Sequence, residues 1–370
     1  MERVVLPTST YIYGAREIEN LAEHVKIYGT KSFILIDSLL IETIGKKISN
    51  SYTCTESIYK ITDVSEKSST EDMNRLIKEA ESYDNIIGIG SGKTLDMANE
   101  IAYMNGCSFI VIPFITFTNA SCSGCLNVSW EDYAMYSRKP NMVIIDNQAI
   151  VDAPISFLVK GIEHTLSVYF DLRAAIRYSS KLSRKAELMS FELMRLNKCY
   201  EHILENGLQA IRDAQENVLT RKLESVVQSC LYINYAFYSQ EGLNIHSKYA
   251  VIHSVRNGLS MLKAKSSQSN KEEISFAILV LLVLENVSTK ELFQILSFLS
   301  EIGLPITLEE IGIHAIDSER MKQIAKIICA QKMMFGNTYV KPAEIAAAII
   351  TADSLGIQYL LERNVNISNF

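Results

Sequence analysis

The chain has 370 residues, a formal net charge of −6 and a hydrophobic share of 48%, interrupted by six prolines. That bounds it to one to three domains with a sizeable core. No basic stripe interleaved with aromatics is present, which argues against a nucleic-acid partner.

The first residues, Met1 to Pro7, lack the apolar run of a signal peptide. The longest apolar run, Phe276 to Leu284, is too short to cross a bilayer and reads as a core helix. No membrane partner is therefore expected. Seven scattered cysteines fit reduced thiols and a cytoplasmic location. Cys122 and Cys125 form a CxxC with no second pair, and read as small turn residues.

Residues 1–153 alternate strand and helix patterns and are expected to form one α/β domain. The run Ser32 to Asp37 is an apolar strand ending in an acid. Glu71 to Glu81 is helical, with Met73, Leu76, Ile77 and Ala80 on one face. A strand over Asn85 to Ile89 leads through a glycine turn into a helix from Lys93 to Met104. Strands over Ser108 to Ile112 and Met142 to Asp146 follow. Strands this apolar are covered on both faces, which implies a largely parallel, Rossmann-like sheet.

Between Gly88 and Asp96 lies the stretch that carries chemistry. Gly88, Gly90 and Gly92 carry no Cβ, so the backbone on either side of Ser91 can approach a ligand closely. The helix start behind them aims free N–H groups and a positive dipole end into the turn, which suits a phosphate, and Lys93 adds a full charge. An acid at the end of an early strand, Asp37, can accept hydrogen bonds from an adenosine ribose and repel a 2′-phosphate, which favours NAD over NADP. An ordinary strand-to-helix turn and a solvated loop acid are the bland alternatives.

From residue 154 to 370 strand patterns give way to long helical periods, so an all-helical second domain is expected. Helices are predicted over Ala186 to Leu204, Val218 to Tyr238, Val251 to Leu262, Ile274 to Leu284, Lys290 to Ile302 and Glu344 to Leu355.

Gly88 to Ala98, Pro140 to Asp146, Gly303 to Leu308 and Ala346 to Asp353 fall in the order found in one family. Together they make the chain resemble the glycerol dehydrogenase branch of the metal-dependent alcohol dehydrogenases, whose distant relatives include dehydroquinate synthase. The resemblance implies the dehydroquinate synthase-like or glycerol dehydrogenase-like fold, an NAD domain, a helical domain, and an active site in the cleft between them. It adds Asp96, Thr118 and Ser123 to the cofactor-binding residues. It also implies a small-molecule substrate and a homo-oligomer. In the family a divalent metal, zinc or iron, is held by one Asp and two His and polarises the substrate oxygen.

Here those three positions fall on His164, His253 and Asn270, a set with no anionic ligand. Glu163, His246 and Glu272 are the nearest groups to complete it. Asn119 stands where the family has an Asp that positions the polyol. Arg256, one turn after His253, is a candidate anion-binding group or a charge at a domain interface. The pattern predicts that nucleotide binding persists while the metal is altered or absent. His164, His253 and Asn119 are the expected catalytic residues, acting on a small polyol or hydroxyketone. A catalytically lapsed nucleotide-binding homologue and a dehydroquinate synthase-like lyase are the alternatives.

Overall fold

The computed structural model describes residues 10–53, 55–65, 69–114, 139–179, 186–238, 251–262, 273–314, 316–330, 334–335 and 338–368. By internal contacts the chain divides into two units. The first holds residues 1–162 and 209–239, the second 163–208 and 240–370.

The first unit is built on a six-stranded, wholly parallel sheet. Its strands are β1 (Thr10–Gly14), β2 (Lys31–Asp37), β3 (Ile58–Val64), β4 (Asn85–Gly90), β5 (Ser108–Pro113) and β6 (Met142–Asp146), in the order β1-β6-β5-β4-β2-β3. The central strands are apolar at nearly every position because both faces are covered. Ile34 and Ile36 of β2, with Ile87 and Ile89 of β4, enter one core; Phe33, Leu35 and Ile86 enter the other. The first core includes residues of α1 (Leu21–Val25) and α2 (Ile41–Thr53), the second residues of α3 (Thr70–Glu79) and α4 (Gly92–Asn105). Each fully buried Ile or Phe of this kind contributes about 1.5–3 kcal/mol of transfer free energy. β1, β3 and α2 carry weaker apolar patterns and were not foreseen. β3 in particular is a half-exposed edge strand.

The chain from Pro140 to Asp146 ties the sheet together. Asn141 accepts from the Phe109 N–H through its side chain, at 2.9 Å. Asp146 takes three backbone N–H bonds, from Arg16 (2.8 Å), Ile18 (2.9 Å) and Ala149 (3.0 Å). The last of these caps α5 (Asn147–Asp152).

Among the described residues the second unit is helical apart from a two-stranded antiparallel ladder, β7 (Met334–Phe335) with β8 (Thr338–Tyr339). α6 (Ile155–Ser179) and α7 (Ala186–Gln215) each run across the division between units, and α8 (Arg221–Tyr238) belongs to the first. The others are α9 (Val251–Ser260), α10 (Ile274–Leu284), α11 (Thr289–Glu301), α12 (Ser318–Ala330) and α13 (Pro342–Ser368). α10 is buried over nearly its whole length, as its uniform apolarity predicts.

Within α13, the span Pro342–Arg363 is long and apolar enough to cross a membrane by length and composition. Ile345, Ala348, Ile349 and Ala352 are buried where the helix packs on α10 and α12, while Ile350, Ile357 and Leu361 are exposed.

Two of the phrases that carried the resemblance meet here. Asp353 accepts from the Leu308 N–H at 2.8 Å, and Gly356 lets the Ile306 carbonyl approach so closely that a Cβ would lie 2.2 Å from it.

Candidate dinucleotide cradle and a buried His–His–Asp cluster

In the sheet order, the connection after β2 runs outward to β3, whereas the one after β4 runs the other way to β5. The chain therefore changes winding direction between β2 and β4. Open α/β sheets bind ligands at the carboxyl ends of strands flanking such a point. Asp37 ends β2 and Gly90 ends β4.

Gly90 sits at φ +137°, a backbone state that L side chains rarely adopt, and a Cβ there would lie 2.7 Å from that of Asp37. Ser91 occupies the N-cap position of α4 but makes no side-chain cap. Its hydroxyl instead donates to the Asp37 carboxylate at 3.0 Å. The other Asp37 oxygen accepts from the Leu39 N–H at 3.1 Å. Gly92 opens α4 with nothing within 4 Å of where a Cβ would stand. Lys93 is half-buried beside it and Asp96 is buried one turn on. Gly88 serves packing instead, since a Cβ there would lie 2.9 Å from that of Ala98, and so it sets the approach of α4 to β4. The result is a glycine-lined helix start with open space in front of it and a carboxylate alongside. These features fit the pyrophosphate and ribose of a dinucleotide. Thr118, Asn119 and Ser123 lie outside the described residues.

In the second unit, His164 and His253 come together with ring centroids 5.9 Å apart at an interplanar angle of 70°. The resemblance aligns His164 with a metal-ligand position that the family places at a helix start. His164 lies instead in the third turn of α6, buried at 8% exposure. Burial, with the charges of His253 and Arg256 nearby, holds its imidazole well below the usual histidine pKa, so it is neutral near pH 7.

Asp171 was not foreseen. It follows His164 by seven residues on the same face of α6 and is 5% exposed. One oxygen accepts from the Ile252 N–H at 3.3 Å, at the start of α9. The other lies 3.6 Å from His253 Nδ1, inside ion-pair range but longer than an ordinary hydrogen bond. Burial raises the Asp171 pKa, opposed by His253 and by the first backbone N–H groups of α9. The available signal was an acid seven residues after a histidine in a largely apolar helix, which has to find partners once buried.

The resemblance implies a divalent metal, and the described donors do not fit one. They supply two imidazoles and one carboxylate that faces His253 and already accepts from the α9 backbone. Arg256 adds a cation close enough to be felt at His164. Glu163 is spoken for as well, accepting from the Ser275 N–H at 2.9 Å where α10 begins. Among the described residues no group of three or more His, Cys, Asp or Glu is placed to hold a metal ion. Asn270, His246 and Glu272 lie outside the described residues.

The sequence profile of iron-containing alcohol dehydrogenases matches residues 15–154. The glycerol dehydrogenase of Citrobacter freundii is 29% identical, over 97% of this chain and 100% of its own length. That of Thermotoga maritima is also 29% identical, over 94% and 95%. The crystal structure of glycerol dehydrogenase from Schizosaccharomyces pombe superposes with a TM-score of 0.78 at 24% identity, covering 98% of this chain and 93% of that one, which speaks to the fold alone. Along its whole length the chain is thus similar in sequence to glycerol dehydrogenases, and residues 15–154 match the iron-containing alcohol dehydrogenase profile.

Proposed function

We propose that the chain is an NAD(H)-dependent dehydrogenase of small polyols or the corresponding hydroxyketones, working without the family's tightly bound metal. The observation that carries this reading is the cradle at the β2/β4 switch point: Gly92 open at the start of α4, with Asp37 alongside. Full-length similarity to dehydrogenases of glycerol supports the substrate class.

Gly90, Ser91, Gly92 and Lys93 would hold the pyrophosphate of NAD, and Asp37 a ribose. The cofactor, when bound, supplies the acceptor for hydride leaving the carbinol carbon. His253 would manage the proton of the substrate hydroxyl. Its Nδ1 side faces Asp171 at 3.6 Å, which leaves Nε2 as the nitrogen free to meet substrate. His164, kept neutral by burial, would serve as a hydrogen-bond partner and not as a second cation.

The test is a titration of the full chain with NADH, followed by fluorescence. Turnover of glycerol and dihydroxyacetone is then measured in chelator-treated protein, with and without added zinc. Cofactor binding with metal-independent turnover is expected. Binding without turnover under any metal condition would reduce the chain to a nucleotide-binding protein.

A further inference from the structure

The face of α9 that is not packed away is short and has a definite character. Ile252, Ser254, Val255, Gly258 and Leu259 are buried, which leaves Asn257 and Ser260 exposed and His253 and Arg256 half-buried, the last two one turn apart on the same side. The His253 side chain is 44% exposed. Among the described residues no carboxylate pairs with Arg256. Asp171 lies 3.6 Å from His253 Nδ1 and already accepts from the Ile252 N–H. Toward solvent, therefore, α9 presents a guanidinium and an imidazole edge with no anion among the described residues in front of them. The Arg256 charge also reaches the buried His164, whose neutral form it favours.

A neutral polyol offers such a face little. A carboxylate offers it a bidentate partner: the planar guanidinium matches two oxygens at once, and charge-assisted bonds of this kind are about twice as strong as neutral ones. Gly258 holds the helix in place for this. A Cβ there would lie 2.2 Å from Ile328 of α12, so α9 is seated hard against its neighbour and the Arg256 turn is fixed.

We propose that the substrate is an anionic polyol, a small hydroxy acid or its keto acid, with its carboxylate held by Arg256 beside His253. The proposal rests on the dehydrogenase reading above and narrows its substrate class. Arg256 is a specificity-determining residue in this scheme, and His253 stays with the reacting hydroxyl.

The experiment is calorimetry on the full chain with NAD present, at matched ionic strength, using glycerate and glycerol as probes. Wild type, Arg256→Gln and Arg256→Lys are compared, with circular dichroism confirming that each variant is folded. Glycerate should bind at least tenfold tighter than glycerol. Arg256→Gln should weaken glycerate by roughly 10- to 100-fold, as expected for a hydrogen bond to a charged group, while leaving glycerol unchanged. Arg256→Lys should recover part of the loss.

Equal binding of the two probes, or glycerate binding indifferent to Arg256→Gln, overturns the proposal. Turnover assays on the same samples separate the two levels. Glycerol oxidised as efficiently as glycerate leaves a dehydrogenase standing and removes the anion preference. Glycerate bound through Arg256 but never oxidised removes the dehydrogenase and leaves the anion site.

Discussion

Asp171 Oδ2 lies 3.6 Å from His253 Nδ1 while its other oxygen holds the first turn of α9, so a single buried carboxylate both caps a helix and backs an imidazole. The two roles respond differently to Asp171→Asn. Burial raises the Asp171 pKa. A raised carboxylate pKa means that the folded state prefers the proton. The stability this gives is present below the unfolded value of about 4 and is lost as pH rises through the folded one. At pH 7 the ionised group therefore costs stability, and Asn removes that cost. Asp171→Asn should be as stable as wild type or more so at pH 7 in urea unfolding, and the gap should narrow toward pH 4. Its turnover should nonetheless drop, by about 10- to 100-fold, because the side chain facing His253 Nδ1 loses its charge. A variant both destabilised at pH 7 and fully active would reverse the assignment.

His164 supplies a pH effect of the opposite sense. Its folded pKa is well below 6.5. The unfolded chain therefore takes up a proton below pH 6.5 that the folded one refuses, and stability falls as pH falls. One such group contributes a slope of up to about 1.4 kcal/mol per pH unit. Replacing it as His164→Gln should flatten the decline between pH 6.5 and 5 in denaturant midpoints measured with no metal added. An unchanged slope would mean that the buried imidazole titrates as freely as an exposed one.

Gly90 and Gly92 stand two residues apart and should fail differently. Gly90→Ala forces a side chain into φ +137° and against Asp37, so it should lower stability outright, whatever ligand is present. Gly92→Ala meets no protein atom within 4 Å, and Ala is the better helix former by about 1 kcal/mol. Its melting temperature should hold or rise. The methyl would stand in the space a phosphate needs, so NADH affinity should drop by about tenfold or more. Paired NADH titrations and thermal melts on the two variants read both effects.

How much of this was legible beforehand follows burial. Phe33 to Ile36 and Ile86 to Ile89 announced a two-faced sheet because these runs are apolar apart from the small Gly88. Gly90 to Lys93 announced a helix start because a tight glycine turn there follows an apolar strand. The half-exposed β3 was missed, since Tyr59, Lys60 and Thr62 dilute the signal that period-2 reading depends on. Asp171 was missed for a different reason. Nothing local in the run Val168 to Arg173 says that its acid will meet α9, 81 residues further on in the Ile252 bond. Arg173 was equally silent. It is buried with Glu285 and Glu291 against the ring of Phe170, a partnership only the tertiary fold can create.

That ion triad gives a stability test away from the chemistry. Arg173 and Glu285 are each 3% exposed in their side chains. Removing one partner strands a charge in a medium that cannot solvate it. Arg173→Met should cost about 3–5 kcal/mol in urea unfolding. Adding Glu285→Gln removes the stranded charge and should restore part of the loss. A double variant no more stable than the single would locate the cost in lost packing on Phe170 instead.

Gly356 sets helix propensity against packing, and the magnitudes decide. It lies inside α13, where Ala would be favoured over Gly by about 1 kcal/mol on propensity alone. A Cβ at 356 would, however, lie 2.2 Å from the Ile306 carbonyl oxygen and 3.0 Å from Thr307 Cγ2. The oxygen belongs to backbone and has no rotamer to yield. The Leu308 N–H bond to Asp353 holds the same loop against the same helix, one turn away. Overpacking of this kind costs typically about 1–3 kcal/mol, occasionally more, and here neither side can give without breaking that bond. Gly356→Ala should therefore lower the urea midpoint despite its better propensity. The double variant Gly356→Ala with Asp353→Asn should show less than additive loss, because the first change already strains the contact the second removes. Strict additivity would mean that the loop relaxes around the methyl without disturbing Asp353.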